Sequence, residues 1–157
     1  MTSDALEISH IVNSPRRSPS ALPDRALYVD IRIGSRLDAF CTAHGKLWLA
    51  HLSPDDQDRY FKNASLKGMT DHTITDLDDL RTELAHIRDQ GFSTNNGERE
   101  KDIYAIAVPI LTKHGNMISA FSVFGASPAT LAQNREALLA KLQAAAKSAQ
   151  HVLYGDA

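Results

Sequence analysis

Cysteine is almost missing from this sequence. Cys41 stands alone, which excludes an internal disulfide and is compatible with a reducing cytoplasm, the expected location. An excess of either charge is missing too: Lys and Arg together number 17 against 19 Asp and Glu, for a formal charge of −2. A nucleic-acid binder needs a basic face to meet phosphate, so no direct DNA contact by this chain is expected. Long hydrophobic runs are lacking; even the apolar stretch around residues 105–111 is far short of a membrane span. The first residues carry no basic segment followed by an apolar one, so a soluble, untargeted chain without membrane partners is expected. Glycine-rich phosphate loops are lacking as well. Gly45-Lys46 has no upstream glycine at Walker spacing and no dinucleotide fingerprint occurs, which sets nucleotide hydrolysis aside. What is present, 157 residues at 43% apolar, suits one ordinary domain with a single core.

Along the chain, Leu6, Ile8 and Val12 approach period two and permit a first strand, interrupted by His10. Residues 13–24, with Pro15, Pro19, Pro23, two arginines and three serines, form a loop by composition. Leu27, Val29, Ile31 and Ile33 alternate with Tyr28, Asp30 and Arg32 as a half-buried strand that runs into Gly34. Thr42 is the N-cap of a helix over the apolar run after Gly45, and Ser53-Pro54-Asp55-Asp56 opens another that reaches Phe61 or Lys62. Leu77, Leu80, Leu84 and Ile87 fall at helical spacing behind Thr75 and Asp76, with Arg88 and Gly91 as the stop. Residues 92–100 are polar and long enough to reach over a site.

Residues 103–111 are apolar on both alternating faces, as in a strand covered on both sides, and residues 113–116 turn the chain. In the returning strand, Ile118, Ala120, Ser122 and Phe124 share one face, while Met117, Ser119, Phe121 and Val123 share the other. Ser127-Pro128 opens a final helix whose stripe is Leu131, Leu138, Leu142, Ala145, Ala149 and Val152, closed by Gly155. That stripe is longer than a small sheet needs and suggests self-association. Two strands, three helices, two strands and a helix, with hairpin joins, favour an antiparallel sheet of the α+β class.

Residues 34–50 carry the chemistry of most interest. N–H groups at Ala43, His44 and Gly45 would point out of the first helical turn, where the dipole favours an anion. A plain capped core helix satisfies the same spacing. Cys41 and His44 could pair as nucleophile and base, but no third group is evident to orient the imidazole, and a lone cysteine suits a small buried hydrophobe. The seven histidines fall into none of the familiar zinc spacings, so neither metal nor cofactor is expected. Asp55-Asp56 and Asp78-Asp79 sit at helix starts, where the dipole accounts for them. Trp48 lies within a helix, as core, as subunit contact or as ligand wall.

Taken in order, Gly34-Ser-Arg-Leu37, Cys41-Thr-Ala-His-Gly-Lys46, Thr73-Ile-Thr-Asp76 with Leu80, Glu83-Leu84, Ile87-Arg88 and Gly91-Phe92, then Glu98, Ile106-Ala-Val-Pro109, Gly115 and Ser122-Val-Phe-Gly125 resemble the effector-binding domain of IclR-type bacterial transcriptional regulators. The resemblance covers about Leu27 to Leu153. It implies a GAF-like or profilin-like curved antiparallel sheet flanked by helices, with residues 26–155 as the ligand-binding domain after a poorly defined segment, 1–25. It also implies a homodimer or homotetramer whose DNA is read by a winged helix-turn-helix domain, for which residues 1–25 are too short.

Carried over position by position, the resemblance places Leu37 and Ala39 in an apolar wall with Cys41, and the N–H groups of Ala43 and His44 as anion donors. It adds Asn95, Ala105, Ser122 and Phe124 to the ligand site. Asn95 stands where an aspartate is usual, Ala105 where a cysteine is usual, and Phe124 where a serine is common. These replacements remove a carboxylate, a thiol and a hydroxyl and add a ring, so the expected effector is a carboxylate with an apolar or aromatic body. A degenerate oligomerisation domain without ligand, and a Cys41-dependent hydrolase, are the alternatives.

Overall fold

The computed structural model describes residues 5–7, 36–125 and 132–155. The strand expected over Leu27 to Ile33, the loop over 13–24, the turn at Gly34, and Ser127, Pro128 and Leu131 of the final helix lie outside the described residues, as do Ile8 and Val12 of the first strand.

β1 (Ala5–Glu7) pairs antiparallel with β2 (Arg36–Asp38), Leu6 opposite Leu37. A 3-10 turn, Ala39–Cys41, leads from β2 into α1 (Ala43–His51). Thr42 caps α1 as expected: its backbone is extended and its hydroxyl accepts the Gly45 N–H at 3.1 Å. α2 (Pro54–Asn63) is capped by Ser53, has proline in its first turn, and buries no residue fully. α3 (Leu77–Gln90) is capped by Asp76, whose carboxylate accepts the N–H groups of Asp78 and Asp79, and ends at Gly91 with φ 75°. Leu80, Leu84 and Ile87 are buried, whereas Leu77 in the first turn is exposed.

The second sheet runs β3 (Ser93–Asn96), β4 (Tyr104–Leu111), β5 (Met117–Gly125) in that order, all antiparallel. β3 is a correction. The polar run from Phe92 suggests a segment long enough to reach over a site, yet Ser93 to Asn96 form a strand paired to β4. Ser-Thr-Asn-Asn has no apolar alternation to announce a strand; the ladder offered by β4 creates it.

Two apolar clusters lie on opposite faces of this sheet. Ala107 and Ala120 join Phe40, Leu47, Leu49, Leu80, Leu84 and Ile87 of the turn, α1 and α3, and Ala105 and Met117 pack against them. Ile106, Val108 and Ile110 pack with Phe121 and Val123 against α4 (Arg135–Tyr154). The sheet is therefore sandwiched between helices, an α+β architecture. Met117 departs from the expected alternation, because the register slips between Ile110 and Leu111: Ser119 faces Ile110, Met117 faces Leu111, and Ile118 is left exposed. One extra residue in an antiparallel pair turns the rest of its strand over, which puts Met117 on the same side as Ala120.

The inner stripe of α4 is Leu139, Leu142, Ala146 and Ala149, partly offset from the expected one. Ala145 is exposed, and Val152 is 82% exposed. In so alanine-rich a helix, two stripes one residue apart read equally well. Gln150 Nε2 donates to the carbonyl of Leu111, the last residue of β4, so Val152 lies past the end of that strand.

Candidate functional site

The turn into α1 is tied to itself by one side chain. The Thr42 hydroxyl donates to the Asp38 carbonyl at 3.3 Å and accepts the Gly45 N–H, while the Thr42 carbonyl accepts the Lys46 N–H at 2.9 Å. Of the three expected anion donors, Gly45 is therefore occupied. Ala43 and His44 keep first-turn N–H groups, which have no acceptor within a helix that begins there. Ala39, Cys41 and Ala43 are buried in the cluster under α1, and Leu37 is buried in the middle of β2. Trp48 packs partly buried against the same cluster.

His44 projects to the sheet, its Nε2 lying 3.3 Å from the Ala120 carbonyl of β5. In the tautomer protonated at Nε2 it donates there. Burial pushes its pKa below the ordinary histidine value, only partly offset by that bond, so the ring is neutral at pH 7.

Register gathers the remaining expected residues. Asn95, Ala105 and Phe124 form one row across β3, β4 and β5, and Ser93, Ala107 and Ser122 the next. Ala105 and Ala107 belong to the cluster on the α1 side, so side-chain alternation places both rows on that side. Asn95, Ala105, Ser122 and Phe124 thus share the face toward which His44 projects. Small side chains floor it in the middle strand. Two members differ from expectation in availability: the Asn95 side-chain oxygen already accepts the Glu98 N–H at 2.9 Å, and Phe124 is 48% exposed.

Sequence reasoning passed over the charges at this site. Lys46, only 1% exposed, places its ammonium 2.6 Å from Glu98 Oε1 and 2.9 Å from Glu83 Oε1, joining α1 to α3 and to the segment after β3. Its signal was a lysine in a helix with no polar face to carry it, since Leu47, Leu49 and Ala50 are all buried. Glu98 Oε2 is buried without a partner, and burial outweighs the attraction of Lys46, pushing the Glu98 pKa up. Thr70 and Thr73 donate their hydroxyls to the carbonyls of Gly97 and Glu98 at 2.7 and 2.5 Å. The polar segment is thereby anchored to the loop before α3.

Cys41 does not have the surroundings of a nucleophile. Burial, and then the Asp38 carboxylate, push its thiol pKa up to about 12 against the pull of Arg99 and Lys46, and its Sγ lies 3.7 Å from the Asp38 carbonyl. Since the thiolate is the reactive form, the folded protein at pH 8 is expected to resist a disulfide-exchange reagent and to react fully in urea. Rapid labelling of the native chain would show an activated cysteine instead. Among the described residues no three of His, Cys, Asp and Glu are grouped to hold a metal ion, and no helix is long and apolar enough to cross a membrane.

Comparison with known proteins matches residues 20–151 to the family described as bacterial transcriptional regulator IclR C-terminal. The Pca regulon regulatory protein of Pseudomonas putida is 31% identical over 137 residues, 87% of this chain and 47% of that protein. The chain spans about half the length of the curated relatives it matches. Among solved structures, the transcriptional regulator YaiJ superposes with a TM-score of 0.76 at 32% identity, covering 83% of this chain and 72% of that one. The inducer-binding domain of the PobR transcription factor from Acinetobacter, a double mutant in complex with 3-hydroxybenzoic acid, gives 0.69 at 28% identity, covering 85% and 78%.

Proposed function

This chain belongs to the IclR family of bacterial transcriptional regulators, matching the C-terminal domain, and we propose that it is the module that senses a small organic acid and passes its presence to DNA binding. The observation that carries this reading is the convergence of Ala105, Ser122, Phe124 and Asn95 with His44 on the side of the sheet that faces α1. The PobR inducer-binding domain in complex with 3-hydroxybenzoic acid supports it as a structural relative.

In this reading residues 26–155 form the ligand-binding unit, lined by Leu37, Ala39, Cys41, Asn95, Ala105, Ser122 and Phe124. The N–H groups of Ala43 and His44 meet the carboxylate, helped by the positive end of α1. DNA is read by a winged helix-turn-helix domain, and the regulator works in the cytoplasm as a homodimer or homotetramer without chemistry or cofactor. The alanine floor and the Phe124 ring suit a guest with an apolar or aromatic body.

Calorimetric titration with benzoate, 3-hydroxybenzoate, adipate and pyruvate tests the reading. One acid with an apolar body should bind and raise the melting temperature by a few degrees. Phe at Ala105 should abolish that binding by filling the floor, and Ser122→Ala should weaken it roughly threefold to tenfold by removing one hydrogen bond. Binding confined to pyruvate would overturn the apolar guest. No binding by any acid would favour an interaction module instead, whereas affinities unchanged by both substitutions would overturn the assignment of this pocket.

A further inference from the structure

The cations near the start of α1 differ in how firmly they are held. Lys46 is committed in the interior to Glu83 and Glu98. Arg99 is held loosely: its Nη1 lies 2.7 Å from Glu100 Oε1, and the two side chains are 32% and 51% exposed. Its Nε, on the inner part of the same guanidinium, is buried and bonds to nothing. An exposed ion pair contributes little in water, whereas a desolvated N–H without an acceptor is costly. The guanidinium therefore lacks an acceptor on one side and has only an exchangeable one on the other.

Its position is set by neighbours already described. Arg99 follows Glu98, whose N–H is held by Asn95 on the ligand face and whose carboxylate is held by Lys46 of α1. The guanidinium acts electrostatically on the Cys41 thiol, in the turn just before α1. It thus lies beside the proposed ligand face, and it brings a full charge where the first-turn N–H groups bring only partial ones.

We propose that Arg99 is the residue that selects an acid at this site, pairing the ligand carboxylate through Nε and Nη2, the edge opposite the Nη1 that Glu100 holds. A planar guanidinium presents two parallel N–H groups to a carboxylate, a geometry that lysine cannot copy. This assignment rests on the sensing role proposed above and names the group that enforces its preference for acids. Glu100, on Nη1 at the other edge, offsets part of the guanidinium charge and so acts as an internal competitor for it.

The test is calorimetry on the 157-residue chain with benzoate, 3-hydroxybenzoate, adipate and pyruvate, each paired with its amide. The unaltered chain should prefer an acid to its amide by about tenfold or more. Arg99→Gln should weaken the acid by about that factor, leave the amide unchanged and so erase the preference, while Arg99→Lys restores part of it. Glu100→Gln should tighten acid binding roughly twofold to fivefold by removing the competitor. An Arg99→Gln protein that keeps the full acid preference overturns Arg99 and leaves the sensing role standing. No acid binding by the unaltered chain overturns both. Should Arg99→Gln fail to fold by circular dichroism, the other two variants decide: unchanged acid affinity in both overturns the assignment.

Discussion

Replacing Lys46 with methionine is expected to destabilise the fold by about 3–5 kcal/mol, the usual cost of removing one partner from a buried ion pair. For a chain of this length that lowers the melting temperature by roughly 10 °C. Methionine preserves most of the side-chain volume, so a cavity contributes little and the loss is electrostatic. Glu83, 27% exposed, can turn to water, but Glu98, 6% exposed, would keep a buried carboxylate that has lost its counter-ion and retains only the Asn96 backbone hydrogen bond. Changing Glu98 to Gln in the Lys46→Met background should restore much of the stability, because the stranded charge goes with its partner.

The loss should also depend on pH in a stated direction. The Glu98 pKa is raised above its ordinary 4.5 by burial, and Lys46 is the main influence lowering it; without Lys46 it rises further. A carboxyl whose pKa is higher folded than unfolded stabilises the fold once protonated, and that contribution is lost as pH rises through the folded value. The Lys46→Met protein should therefore be weakest at neutral and alkaline pH and regain stability as pH falls toward 4.5. Urea denaturation of both proteins at a series of pH values measures this. A difference constant with pH would show that the buried Glu98 carboxylate is not the source.

Gly45→Ala should be the second severe change, for a steric reason. In a helix interior alanine is usually better than glycine by about 1 kcal/mol, so propensity predicts a gain. At this position, however, a Cβ would meet the carbonyl oxygen and Cα of Ala39 well inside contact distance. Both are backbone atoms of the 3-10 turn, so no rotamer change can relieve the overlap, and α1 must move off the turn that it caps. Overpacking costs typically about 1–3 kcal/mol and occasionally more; a backbone clash belongs at or above the upper end. Loss of stability by about 3 kcal/mol in urea is expected, together with loss of any acid binding. A variant as stable as the parent would mean that α1 does not approach the turn this closely.

Much of the architecture was legible because its signals are local. Thr42, Ser53-Pro54, Asp76 and Gly91 each mark a helix end through a bond or a backbone angle set within a few residues. The β4–β5 hairpin follows from two apolar runs around a short polar turn. What escaped notice depended on distant partners. β3 has no strand signature of its own and exists because β4 offers a ladder. The slip at Leu111, which carries Met117 to the α1 side, is a matter of pairing between strands. The inner face of α4 is chosen by the sheet that receives it.

The candidate site divides in the same way. Resemblance to a family named Asn95, Ala105, Ser122 and Phe124, and strand alternation required Ser122 and Phe124, two apart, to share a face; only the β3–β4 pairing set Asn95 opposite Ala105. Nothing local could indicate that the partners of Lys46 would be Glu83 and Glu98, which are 37 and 52 residues away, or that the guanidinium of Arg99 would have a buried, unpartnered nitrogen.

By itself, then, the sequence determined the helix caps, the hairpin and a net charge of −2, since propensity, capping and net charge act over a few residues or on the chain as a whole. Only the tertiary structure decided which polar groups are buried and which of them find partners. Desolvation and ion pairing depend on the atoms that surround a group in space, and at the start of α1 those atoms come from α3 and from the segment after β3.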